Sequence, residues 1–99
     1  MTIATNISKT LIEITGEPRI EIAILELLKD AIEHRIEKIN AEIKNLEGKY
    51  HSSFEEFKNK FNSGKIPDAY NYSVETDYLE WEGLTNRLSK YNSLLLTLI

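Results

Sequence analysis

The sequence predicts an all-α protein, mainly a long antiparallel helical hairpin of coiled-coil type, and three observations predict it. Residues 20–47 contain neither Gly nor Pro and carry apolar side chains three and four positions apart, the spacing of a helix with one buried stripe. Residues 74–98 repeat that pattern. Between them lies a segment with Asn62, Ser63, Gly64 and Pro67, turn formers that let the chain reverse.

The elements follow in chain order. Thr2 to Ile7 alternate polar and apolar residues, which reads as a short strand or arm, with Ser8 then capping a turn of helix that ends near Gly16. Residues 1–17 are thus expected to form an N-terminal arm, and residues 18–99 the helical hairpin domain. Glu17-Pro18 marks the start of the first long helix, because proline at a first helical position gives up an amide that has no partner there anyway. Leu25, Leu28, Ile32, Ile36, Ile39, Ile43, Leu46 and Tyr50 form its seam, with one four-residue stutter near Ile32 to Ile36. Gly48 is expected to stop it. Ser53 and Glu56 have the spacing of a capping box, and Phe54, Phe57 and Phe61 mark one face of a short intervening helix. The last helix is expected to start between Ser73 and Thr76, and its stripe is Val74, Tyr78, Trp81, Leu84 or Thr85, Leu88, Tyr91, Leu95 and Leu98.

Folding back sets residues 20–28 beside residues 91–99, the two places where apolar residues spread beyond one stripe. A hairpin covers only one face of each helix. Ile20, Ile24, Leu27, Leu28, Leu94, Leu95, Leu98 and Ile99 are therefore expected to associate with a second copy, giving a dimeric helical bundle.

Composition narrows the function classes. Apolar residues at 41% and charged ones at 28% suit a folded, soluble chain. No apolar run approaches the roughly 18 residues that cross a bilayer, and no signal-like segment opens the chain, so a cytoplasmic protein without membrane contact is expected. There is no cysteine, hence no disulfide and no thiolate metal site. His34 and His51 lie in separate segments without ligand spacing, and no phosphate loop or nucleophile elbow occurs. The reading is a non-enzyme with no cofactor. A net charge of −4 also disfavours phosphate-driven nucleic-acid binding by the chain as a whole.

That charge is localised. Residues 66–82 hold Asp68, Glu75, Asp77, Glu80 and Glu82 and no Lys or Arg, so the remainder sums to +1. Carboxylates near a helix start oppose its macrodipole while Tyr78 and Trp81 pack, and first-turn placement accounts for Asp77 inside the apolar stripe. Lys58, Lys60 and Lys65 read as solvated surface, with Glu56 placed to pair Lys60 one turn on.

The succession HSSFEEFKNKF, then YSVETDYLEWEGL, then a Leu-rich closing helix resembles a family of small prokaryotic helical antitoxins encoded beside a small toxin. The matching residues are Phe54, Glu55, Glu56 and Phe57 after Tyr50, and Val74, Glu75, Asp77, Tyr78, Trp81 and Glu82 after the loop. The resemblance spans residues 20–98 and implies an antitoxin that binds and silences a small basic toxin. The acidic, aromatic segment would then occupy the toxin's substrate groove. Asp68, Tyr70, Tyr72, Glu75, Glu80 and Glu82 are the expected contacts, with Trp81 shared between core and interface. Two other readings stay open. One is a DNA-binding autoregulator whose arm exposes Thr2, Ala4 and Asn6 in a two-stranded ribbon; the other is a purely structural dimerisation protein.

Overall fold

The computed structural model describes residues 4–67 and 71–98. It contains four helices, α1 (Thr5–Thr15), α2 (Ile20–Tyr50), α3 (Phe54–Asn62) and α4 (Tyr72–Thr97), and no strand among the described residues. The molecule is elongated, 58 × 23 × 22 Å, with a radius of gyration of 19.5 Å, where a compact chain of this length has about 13 Å. The most extensive contact is between α2 and α4; α1 packs on α2, and α3 on α4.

The expected N-terminal strand is not seen among the described residues, and from Thr5 onward α1 takes its place. Ile7, Leu11 and Ile14 continue at spacings of four and three, so the helical period outruns the brief alternation before it. The Thr10 and Thr15 hydroxyls donate to the carbonyls of Asn6 and Leu11 at 2.8 and 2.7 Å, absorbing side-chain polarity within the helix. Gly16 ends α1 in the left-handed region at φ 70°, its N–H donating to the Ile12 carbonyl. Among the described residues the expected ribbon is not seen: Ala4 is the N-cap of α1 and Asn6 lies inside it, while Thr2 lies outside the described residues.

Pro18 falls just ahead of α2, with Arg19 as N-cap. Glu17 accepts from the Arg19 backbone N–H and both ends of its guanidinium at 2.7–3.0 Å, which closes the link and lowers the Glu17 carboxyl to about 2. Gly48 does not stop α2. A glycine inside a helix costs about 1 kcal/mol against alanine, too little to break a helix held by tertiary contacts. The helix ends instead at His51, which takes φ 51° and donates its N–H to the Glu47 carbonyl.

α3 starts as expected: the Ser53 hydroxyl accepts from the Glu56 N–H at 3.2 Å. α4 begins earlier than expected, at Tyr72, because Asn71 is extended and its side chain accepts from the Ser73 N–H at 2.8 Å.

The core is Ile39, Leu46, Phe57, Trp81 and Leu84, with Ile43, Tyr50, Phe54, Phe61, Tyr78 and Leu88 packed around it. Six aromatic rings gather at the α3 end. Phe57 lies 4.5 Å from Tyr50 and 5.2 Å from Trp81 between centroids, and Phe61 stacks on Tyr78 at 4.5 Å. Such pairs add about 0.5–1.5 kcal/mol each beyond the area they bury. The C-terminal half of the α2 stripe thus sits in the core, whereas Leu28 in its first half is 47% exposed.

Candidate functional site

In α4 the helical period divides two faces. Trp81 and Leu84 are buried, with Val74 and Tyr78 packed against them. On the opposite side Tyr72 and Leu79, seven residues apart, are 83% and 66% exposed. Gly83 continues that line one turn on, and a Cβ built there meets nothing within 4 Å. Glu75 and Glu80 are exposed and Glu82 half-exposed, and they flank the line on both sides. The outcome is an apolar strip framed by carboxylates.

Asp77 faces inward. It lies in the second turn of α4, so first-turn dipole compensation is not what places it inside the stripe. Its carboxylate accepts from the Lys49 ammonium at 2.6 Å and from the Tyr50 hydroxyl, joining the end of α2 to the start of α4. Burial pushes the Tyr50 phenol upward, and the bond to Asp77 and its charge add to that. Burial also pushes the Asp77 carboxyl upward, but the bonds from Lys49 and Tyr50 and the Lys49 charge outweigh it, so the net shift is downward.

Beside this cluster a cleft of about 330 Å³ opens between the ends of α2 and α3 and the following turn. Lys49, Lys60 and Lys65 line it together with Tyr50, Ser52, Phe57, Ile66 and Pro67. The pairing of Glu56 with Lys60 does not form: among the described residues the ion pairs are Arg19 with Glu17 and Lys49 with Asp77. A second groove, about 200 Å³, runs between α2 and α4 and is lined by Arg35, Lys38, Ile39, Glu42, Arg87 and Tyr91. The two described cavities of an acidic chain are therefore lined mainly by cations where they are charged. Among the described residues no three His, Asp or Glu side chains gather closely enough to hold a metal ion.

A family model, described as the uncharacterized protein MJ0235 family, matches residues 1–98. The chain belongs to that family. No curated protein and no solved structure matches it. This MJ0235-family chain has no helix among its described residues that is long and apolar enough to cross a membrane.

The expected contact residues divide. Tyr72, Glu75, Glu80 and Glu82 share the outward half of α4, while Trp81 is fully buried and belongs to the core. Asp68 and Tyr70 lie outside the described residues. Of the expected self-association residues, Leu28 and Leu94 are exposed at 47% and 40%. Ile20, Ile24, Leu27, Leu95 and Leu98 are half-buried, and Ile99 lies outside the described residues. Ile7, Ile12, Ile14 and Leu96 are exposed as well. The sequence reading brings out neither the Lys49, Tyr50 and Asp77 cluster nor the exposed Leu79. A carboxylate set within an apolar stripe was the available signal for the cluster, since it needs a partner from the opposing helix.

Proposed function

We propose that this chain is a non-catalytic protein-binding module, and that its contact surface is the outward face of the first half of α4. The supporting observation is Tyr72, Leu79 and Gly83 in one line with Glu75, Glu80 and Glu82 beside them. A mid-helix glycine is a standing cost of about 1 kcal/mol, and no neighbour among the described residues crowds Gly83. An approaching partner gives that position a use, because its backbone or a large side chain seats against a bare helix surface. Tyrosine and leucine supply the apolar anchor, and the carboxylates select a basic partner.

In this reading the module is a cytoplasmic antitoxin, and the partner is a small basic toxin whose substrate groove the acidic face fills. The α2–α4 pair acts as a coiled-coil arm that holds the face out, and two copies join through the apolar end that carries Leu28, Leu94 and Leu96. Co-expression with the product of the adjacent gene, followed by affinity purification, tests it. The pair should co-purify, and the triple variant Glu75→Lys, Glu80→Lys, Glu82→Lys should lose the partner while keeping its far-UV helicity. Equal capture by the charge-reversed chain would refute the assignment.

A further inference from the structure

The cleft beside α3 carries an inference independent of the α4 face. Its cationic character follows from how α3 ends. Ser63 is the C-cap, Gly64 turns the chain at φ 73°, the Gly64 N–H donates to the Phe61 carbonyl at 3.3 Å, and the Lys65 N–H reaches back to the Lys60 carbonyl at 2.8 Å. These two bonds define a Schellman turn, in which the outer pair of residues, here Lys60 and Lys65, usually makes an apolar contact. Here both are lysines. The turn thus gives up its customary apolar pair and sets two ammonium-bearing side chains along one cleft.

Lys60 in the last helical turn is favoured by the macrodipole. That accounts for one cation, whereas Lys65 lies beyond the cap and Lys49 comes from another helix. Lys49 is neutralised by Asp77 at 2.6 Å. Lys60 and Lys65 have no ion-pair partner among the described residues, and no carboxylate is among the described residues that line the cleft. Two positive charges unpaired among the described residues, beside a hydroxyl, Ser52, suit a doubly charged anion. A fork-shaped carboxylate site ordinarily uses arginine, while lysine serves phosphate as a point charge. No arginine lines this cleft. The remaining wall, Tyr50, Phe57, Ile66 and Pro67, is apolar, and about 330 Å³ falls in the lower part of the range for small-ligand pockets.

We propose that this cleft binds a phosphate-bearing small molecule, with its phosphates between Lys60 and Lys65 and its ring or apolar portion against Tyr50, Ile66 and Pro67. Isothermal titration of the full chain with ATP, with inorganic pyrophosphate and with a short polyglutamate peptide tests the assignment at low and moderate salt. ATP should bind one to one and more tightly than pyrophosphate, and both should weaken as salt rises. Lys60→Ala with Lys65→Ala should weaken both ligands by about tenfold or more. Lys29→Ala with Lys90→Ala, which changes net charge equally away from the cleft, should leave binding unchanged. Absence of saturable binding, equal loss in the control pair, or tighter binding of the peptide than of either phosphate would overturn it. Far-UV circular dichroism of each variant separates a lost site from a lost fold.

Discussion

Replacing Tyr50 with Phe tests whether the Asp77 cluster holds α2 to α4. The ring stays, so its contacts with Phe57 at 4.5 Å and Trp81 at 6.1 Å are kept and only the hydroxyl is removed. That hydroxyl donates to a carboxylate whose side chain is 15% exposed. A hydrogen bond to a charged, largely desolvated acceptor contributes about 1.5–3 kcal/mol. Lys49 is 53% exposed, so its ion pair is discounted for solvent screening and Lys49→Ala should cost only about 0–1 kcal/mol. Against a total of roughly 5–15 kcal/mol for a domain of this size, the first loss is large and the second small.

The pH dependence gives an independent sign. The lowered Asp77 carboxyl stabilises the fold above its ordinary value of 3.8, and that contribution fades as pH falls through the lowered value. The raised Tyr50 phenol stabilises below its ordinary value of 10.0, and that contribution fades as pH rises through the raised value. The difference between wild type and Tyr50→Phe should be flat from about pH 5 to pH 9 and shrink on both sides. Urea unfolding followed by far-UV circular dichroism across that range measures it. A Lys49→Ala cost equal to or above that of Tyr50→Phe, or a Tyr50→Phe difference undiminished in strong acid, would refute the reasoning.

Two further outcomes follow from geometry. His51→Gly should raise stability by about 0.5–1 kcal/mol in the same unfolding assay, because His51 holds φ 51° where glycine meets no Cβ penalty. Sedimentation equilibrium should return twice the chain mass for the wild type and a single chain mass for Leu94→Glu with Leu96→Glu. Leu96 is 71% exposed on a helix whose last turns carry no charge to keep copies apart.

The helices are legible in the sequence because apolar spacing is a local signal: the α2 and α4 stripes and the α3 phenylalanines need no tertiary contact to be seen. Boundaries were less so. Gly48 reads as a stop and is not one, since tertiary contacts on Leu46 and Tyr50 outweigh one glycine's propensity. Thr2 to Ile7 reads as a strand only when cut off from Leu11 and Ile14, which carry the helical period onward. Trp81 illustrates a different limit. Its place in the stripe made both core and interface reasonable, and only the rings arriving from α3 decide for the core. The basic cleft was invisible for a similar reason: Lys60 and Lys65 read as solvated surface until the turn at Gly64 and the end of α2 bring them to one place.

By itself the sequence determined that this chain is helical, which faces of its helices are apolar, and that its carboxylates concentrate in residues 66–82, because periodicity and charge are properties of neighbours along the chain. Tertiary structure alone decided that Asp77 faces Lys49 and Tyr50, that Tyr72, Leu79 and Gly83 stand outward together, and that lysines from α2, α3 and the turn meet in one cleft. Each of those depends on residues remote along the chain that only the docking of one helix on another brings within reach.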